Sequence, residues 1–335
     1  MNLHSLSENL YERIKACSGK ILITIHQNPD GDAIGSGLGL QHLLMKEGKN
    51  VVLISPNSIA DYLNWLPGIA DVVNYELEPE RISEHFANAE LLMCLDFNDP
   101  KRAGGLENEI RKFKGDIAVI DHHQNPSHFA KYLYSDTSSP ATAQLVYRLS
   151  QDWRIELNVN VAKCLYTGIL TDTGSFKFSS VNKETHLVAA HLVSFGINHD
   201  EIHARIYDAF SENRLRLFGL CFYNRLEIIE NGRVALMYVT QKDHHEFDIQ
   251  KGDTEGLVNF NLSITGVEVG VLFIEEEKMI KISFRSKGDI PVNEFAKENF
   301  DGGGHINAAG GRSYKPLTST IEHFKKCIKP FIQQY

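Results

Sequence analysis

The segment Ile21 to Ser36, ILITIHQNPDGDAIGS, limits the fold of this chain more than any other. Ile21, Leu22, Ile23, Thr24 and Ile25 are apolar or β-branched at every place, the pattern of a strand buried on both faces of a parallel sheet. Pro29 and Gly31 stop the strand and allow a tight turn, and beyond them Ile34, Leu38, Leu40, Leu43 and Leu44 give Ala33 to Gly48 the spacing of a helix. His26, Asp30 and Asp32 thus fall between a strand end and a helix N-terminus, the crevice where open α/β sheets bind ligands. A helix cap needs one carboxylate and leaves His26 and the second Asp unexplained. Three nitrogen or oxygen donors within seven residues, on a loop fixed by Pro and Gly, suit a hard divalent cation. Taken alone, the segment leaves the capping and the metal readings both open.

The pattern recurs downstream. Leu3 to Ser18 has helical spacing, Asn50 to Ser55 reads as a second strand, and Arg81 to Ala87 as a helix. Glu90 to Asp96 (ELLMCLD) is a third apolar strand ending in an acid, and Asp116 to His123 (DIAVIDHH) a fourth ending in an acid and two imidazoles. Asp96, with Asn98, Asp99 and Pro100 after it, is by itself compatible with an ordinary turn. A second triplet, Asp243, His244 and His245, follows polar residues and precedes a helix, so it reads as a capped helix start without chemistry. Ser139 to Leu149 and Val159 to Leu170 have helical spacing, with Ser138 or Ser139 and Asn158 as caps. The latter runs into Thr171, Asp172, Thr173 and Gly174, where Asp172 either stops the helix or closes a metal site from the opposite side.

Composition narrows the class. At 335 residues the chain fits two domains, and 42% apolar residues without a low-complexity tract make it globular throughout. No apolar run approaches ~18 residues and the first residues carry no basic-then-apolar leader, so the expectation is a cytoplasmic protein with no membrane contact. Cys17, Cys94, Cys164, Cys221 and Cys327 are scattered, form no CxxC pair, and read as reduced. A net charge of −9 argues against a broad basic surface for long nucleic acid. His42, His85, His186 and His191 read as surface or satisfied core residues.

The four motifs HQNPDGD, LD, DHH and TDTG, in this order between Lys20 and about Phe178, resemble the DHH phosphoesterase superfamily. That resemblance implies an α/β fold with an N-terminal parallel-sheet domain, helices on both faces, and a smaller C-terminal α/β domain. It implies that His26, Asp30 and Asp96 bind one Mn²⁺ and that Asp32, Asp96, His122 and Asp172 bind another, with Asp96 shared and Mg²⁺ or Co²⁺ as stand-ins in vitro. Paired cations clamp a phosphoryl oxygen and lower the pKa of a shared water, and the mixed His/Asp set favours Mn²⁺ over Mg²⁺. Asp121 would orient a ligand histidine, and His123 would face the phosphate as donor or general acid.

Short strands alternate with short helices from Leu226 on, which gives the expected domains 1–190 (catalytic), 191–215 (helical linker) and 216–335 (substrate-binding). The run Asp301 to Gly311 is too poor in side chains to pack a core and would by itself be a flexible loop. With Arg285 on the strand before it, the run resembles the GGGH motif of the domain associated with DHH phosphoesterases. The resemblance implies a lobe closing over the metal site, with Arg285, Gly303, Gly304 and His305 holding a phosphate and Ala308 and Ala309 packing closely. Among the relatives, the compact group that hydrolyses very short RNA and adenosine 3′,5′-bisphosphate (pAp) fits best. The pyrophosphatases lack the Gly-Gly-Gly-His loop, the RecJ-type exonucleases carry further nucleic-acid-binding parts, and the membrane-bound cyclic-dinucleotide phosphodiesterases carry sensory segments. The expected partners are short single-stranded RNA or nucleotides and no long duplex, with a homodimer left open. Dinucleotide phosphodiesterase, RecJ-like exonuclease, exopolyphosphatase and a non-catalytic nucleotide sensor remain alternatives.

Overall fold

The computed structural model describes residues 3–250 and 252–335. The chain divides into two compact units, Met1–Ala209 and Phe210–Tyr335. Among the described residues no helix is long and apolar enough to cross a membrane.

Six strands build the sheet of the first unit: β1 (Lys20–Thr24), β2 (Asn50–Ser55), β3 (Val73–Asn74), β4 (Ala89–Leu95), β5 (Asp116–Asp121) and β6 (Tyr132–Ser135). They lie in the order β3-β2-β1-β4-β5-β6, and every pairing is parallel. The order reverses between β1 and β4, so the C-terminal ends of those two strands flank a topological switch point, where ligands bind in such sheets. Sequence reading passes over β3 and β6 because two and four residues carry too little periodicity to register.

The near-continuous apolar runs are explained by helices on both faces. Ile21, Ile23, Met93, Leu95 and Ile120 face α1 (Leu3–Ala16), α2 (Gly31–Lys46), α5 (Thr142–Asp152) and α6 (Val159–Asp172). Leu22, Leu92, Cys94 and Val119 face α3 (Pro79–Ala87) and α4 (Glu107–Lys112). The first unit closes with α7 (Lys183–Val193) and α8 (His199–Tyr207). No described cysteine is in a disulfide, and all but the half-buried Cys327 are buried.

One helix start departs from expectation. Spacing begins α5 at Ser139 under a Ser138 or Ser139 cap, but it begins at Thr142 after an extended Ala141 that offers no side-chain cap. The Ser139 hydroxyl instead donates to the Ala141 carbonyl at 3.0 Å, and the buried first N–H groups of the helix, on Thr142 and Ala143, are taken by Asp32, more than a hundred residues away.

Helix α2 lies against α6 along a row of small residues. A Cβ at Gly35 would stand 2.5 Å from the Cys164 carbonyl oxygen and 2.8 Å from the Gly168 nitrogen, and one at Gly168 would stand 2.8 Å from Asp32 Oδ1. These contacts are with backbone or with a carboxylate that is itself held, so neither can give way. The close approach carries the C-terminal end of α6, and with it Asp172, to the start of α2.

The second unit has a six-stranded sheet in the order β11-β12-β10-β9-β8-β7, parallel only between β8 and β9. Its strands are β7 (Glu227–Ile229), β8 (Val234–Val239), β9 (Val269–Glu275), β10 (Ile280–Ser286), β11 (Gly303–His305) and β12 (Ala308–Ser313). Leu236, Val271, Phe273 and Phe284 pack with α12 (Val292–Asn299) and α13 (Leu317–Ile332) on one face. On the other, Met237 and Leu272 meet α9 (Glu212–Leu220) and α11 (Leu257–Asn261). The Asp243 triplet opens α10 (Gln241–Glu246) under a capping box between Thr240 and Asp243, as its polar context indicates. The glycine-rich run is a hairpin of β11 and β12 instead of a loose loop. Glycine is required there: a Cβ at Gly304, whose φ is +141°, would stand 2.5 Å from the Ala308 carbonyl oxygen.

Gly35→Val is expected to lower unfolding stability by about 2–3 kcal/mol or more through overpacking against backbone, read as a lower denaturation midpoint. An unchanged midpoint would contradict the close approach of α2 and α6.

Candidate metal centre

Because the first sheet is parallel, β1, β4 and β5 deliver their following residues to one edge. After β1 come His26 and the turn into α2, where the Asp30 side chain accepts from the N–H groups of Asp32 (3.0 Å) and Ala33 (3.1 Å). Asp30 therefore does cap the helix, and the same Oδ1 also lies 3.8 Å from His26 Nε2. Asp96 follows β4 in a left-handed conformation (φ 63°), which Asp tolerates better than most residues, and its N–H donates to Ile120 O at 3.0 Å.

Asp96 stands at the middle. Its Oδ2 lies 3.4 Å from His26 Nε2 and its Oδ1 3.4 Å from His122 Nε2. His122 Nε2 is also 3.3 Å from Asp172 Oδ2 and 3.9 Å from Asp32 Oδ2. Two groups result, His26 with Asp30 and Asp96, and Asp32 with Asp96 and His122, each with its donor atoms within 4.8 Å of one another. Donors around a cation at ~2.1 Å stand roughly 3.0–3.5 Å apart, close to the spacings seen. The imidazoles are set for the same purpose: Nδ1 of His26 lies 2.9 Å from the Gln27 carbonyl and Nδ1 of His122 lies 3.1 Å from the Ser139 carbonyl. With Nδ1–H donated to those carbonyls, Nε2 of each ring is the atom turned to the carboxylates.

The electrostatics agree. Burial opposes charge on His26, but its hydrogen bonds to Asp30 and Asp96 win and raise it to about 10. Burial, with Asp30 and Asp96 nearby, pushes Asp172 up to about 7 despite His122. Burial and the charges of Asp96 and Asp172 push Asp32 well above the usual carboxylate range, although two N–H groups of α5 pull the other way, Thr142 at 2.6 Å and Ala143 at 2.9 Å. Asp96 resists burial through His122 and His26 and is held well below that range. Carboxylates crowded in this way, with two imidazole nitrogens turned to them, are what a divalent cation would relieve.

Asp121 and His123 pair beside this cluster, with His123 Nδ1 also 3.7 Å from Asp96 Oδ1, so that Asp96, Asp121 and His123 form a further donor group. Buried Asp121 accepts from His123 Nδ1 at 2.7 Å and from the His123 N–H at 2.9 Å. Sequence reading gives Asp121 to a ligand histidine; the structure gives it to His123, because it is Ser139 that occupies Nδ1 of His122. Burial, with the charge of Arg102 nearby, holds His123 below the ordinary imidazole value in spite of Asp121. Thr142 is missed by sequence reading altogether. Its hydroxyl donates to Asp96 Oδ1 at 2.9 Å while its N–H holds Asp32, and a Pro140 ahead of a helix start was the only local signal. Four further histidines find partners away from this cluster: His42 on the Pro67 carbonyl, His85 on Lys20, His191 on the Tyr147 hydroxyl, and His186 stacked on Phe176.

In the second unit Ala308 of β12 pairs with His305 of β11 on one side and with Arg285 of β10 on the other. Directly opposed residues share a face, so His305 and Arg285 point the same way, two strand spacings (roughly 10 Å) apart, with a methyl group between them. Gly303 and Gly304 precede His305 on exposed backbone, and Ala309 is buried.

Residues 20–169 match the DHH family, N-terminal domain, and residues 231–334 match the DHHA1 domain. The bifunctional oligoribonuclease and PAP phosphatase NrnA of Thermus thermophilus is 31% identical over 299 residues, covering 89% of this chain and 86% of that protein. The protein of the same name from Bacillus subtilis is 27% identical over 88% of this chain and 89% of its own. An exopolyphosphatase-related protein from Bacteroides fragilis has a solved structure that superposes with a TM-score of 0.90 at 36% identity, covering 98% of this chain and 96% of that one. Likeness over nearly the whole chain, in sequence and in fold, turns the resemblance of four motifs into membership: this chain belongs to the DHH family of phosphoesterases.

Proposed function

We propose that the chain hydrolyses oligoribonucleotides a few residues long to mononucleotides and removes the 3′-phosphate of pAp, with two Mn²⁺ ions. The observation that carries this reading is Asp96, which turns one carboxylate oxygen to His26 and the other to His122 and so joins the groups of donors built on them. His26, Asp30 and Asp96 would hold one cation, and Asp32, Asp96, His122 and Asp172 the other. Bound there, the cations would supply Lewis acidity toward phosphoryl oxygens and lower the pKa of a water to near neutrality.

The chain's own residues do the rest. Thr142 and the N-terminus of α5 hold Asp96 and Asp32 in place, so no reorganisation is needed when substrate arrives. His123, its Nδ1 steadied by Asp121, faces the phosphate as donor or general acid. Arg285 and His305, on one face of the second sheet, offer a guanidinium and an imidazole to a phosphate of the substrate. The choice of substrate class follows the relatives named as oligoribonuclease and PAP phosphatase, and the acidic net charge of −9 fits a short ligand better than a long one.

Metal-stripped protein reloaded with Mn²⁺ is expected to cleave end-labelled RNA at a rate that falls steeply from dinucleotides to strands of about two dozen nucleotides, and to hydrolyse pAp. Processive degradation of long strands, or activity on pyrophosphate alone, would contradict the reading. Arg285→Ala is expected to raise KM roughly tenfold with little change in kcat, because it removes binding away from the reacting phosphorus. An unchanged KM would remove the substrate role of the β10–β12 face.

A further inference from the structure

The half-buried arginines of this chain are mostly accounted for by carboxylates. Arg13 meets Asp116 at 2.6 Å, Arg148 meets Glu184 at 2.6 Å, Arg225 meets Asp243 at 3.2 Å, and Arg233 meets Glu268 at 2.5 Å. Arg102 is half-buried too, yet its guanidinium makes no hydrogen bond and no ion pair among the described residues. Its backbone, by contrast, is pinned. The Arg102 carbonyl accepts the Gln27 N–H at 2.7 Å, and the Arg102 N–H donates to the Asp99 carbonyl at 2.9 Å. Asp99 also caps the turn through the Lys101 N–H at 3.0 Å. The turn also lies close against Gln27, since a Cβ on its Gly104 would stand 2.7 Å from that side chain.

Arg102 is therefore fixed beside the residue that follows His26, six positions after Asp96, and near enough to His123 for its charge to act on that ring. Aspartates crowd the same sheet edge, yet none pairs with it. Asp30 and Asp96 are engaged by His26, Asp96 and Asp172 by His122, and Asp32 by the N-terminus of α5. A solvated surface arginine has a free backbone and full exposure; Arg102 has neither. A positive, planar donor fork that no described residue pairs with is matched by an oxyanion, and at the rim of a phosphoesterase centre that oxyanion is a phosphoryl group, whose non-bridging oxygens it can take two at a time. We propose that Arg102 is a catalytic residue of this centre, its guanidinium binding a non-bridging oxygen of the phosphoryl group under attack and neutralising the charge that develops there. The proposal rests on the phosphoesterase reading but not on any particular leaving group, so its effect is common to all substrates.

The test uses the full chain loaded with Mn²⁺, as wild type, Arg102→Met and Arg102→Lys. Two substrates with different leaving groups, a dinucleotide and bis(4-nitrophenyl) phosphate, are assayed, and inorganic phosphate binding is measured by calorimetry. Arg102→Met is expected to lower kcat/KM about a hundredfold or more on both substrates, the usual cost of one preorganised donor at developing charge. It should weaken phosphate binding roughly tenfold, with the denaturation midpoint and Mn²⁺ uptake unchanged, while Arg102→Lys keeps part of both. Activity and phosphate affinity within about threefold of wild type would overturn the proposal, as would a loss that tracks a loss of Mn²⁺, which would make Arg102 a prop for the metal loop. If the wild type turns over neither substrate, the functional reading fails separately, and phosphate binding still decides whether Arg102 is an anion ligand.

Discussion

Asp96 can present one carboxylate oxygen to His26 and the other to His122 only because β1, β4 and β5 run parallel and end at one edge. Around it lie Asp30, Asp32 and Asp172, and burial of Asp32 and Asp96 raises the cost of every charge among them. The surrounding fold divides that charge among partners. Asp30 is spent on the cap of α2, Asp32 on the first N–H groups of α5, and Asp96 on two imidazoles and the Thr142 hydroxyl. What those partners leave unbalanced is the part a divalent cation would take.

The same arrangement explains why the helices meet as they do. The N-terminus of α5 carries partial positive charge, and placing it on Asp32 joins the first βα turn to a helix far along the chain. Glycines at 35 and 168 let α2 and α6 close to backbone distance, which carries Asp172 to the other donors. Packing and electrostatics are therefore one constraint here, since a side chain at Gly168 would strike both Ala143 and Asp32.

Much of this was legible in the sequence where the signal is local. Apolar runs ending in His26, Asp96 and Asp121 marked three strand ends, and the contrast between the buried strand before His122 and the polar residues before His244 separated a rim triplet from a capped helix. What lay beyond reach depends on contacts across long separations or on backbone geometry. The Asp32–Thr142 bond spans 110 positions, so nothing local shows that α5 starts without a serine cap. The partner of Asp121 turned on which imidazole nitrogen Ser139 occupies. The Gly303–His305 strand looked like a loop because β propensity is poor in glycine, and only its pairing with β12 shows that side chains would have blocked it.

The central claim is that one carboxylate serves two cation sites. Electron paramagnetic resonance of the metal-stripped chain, titrated with Mn²⁺, tests it most directly, because ions that share a carboxylate are magnetically coupled. The account predicts uptake of two Mn²⁺ per chain with a coupled signal at saturation. A single bound ion, or two ions whose spectra stay those of isolated Mn²⁺, would contradict it.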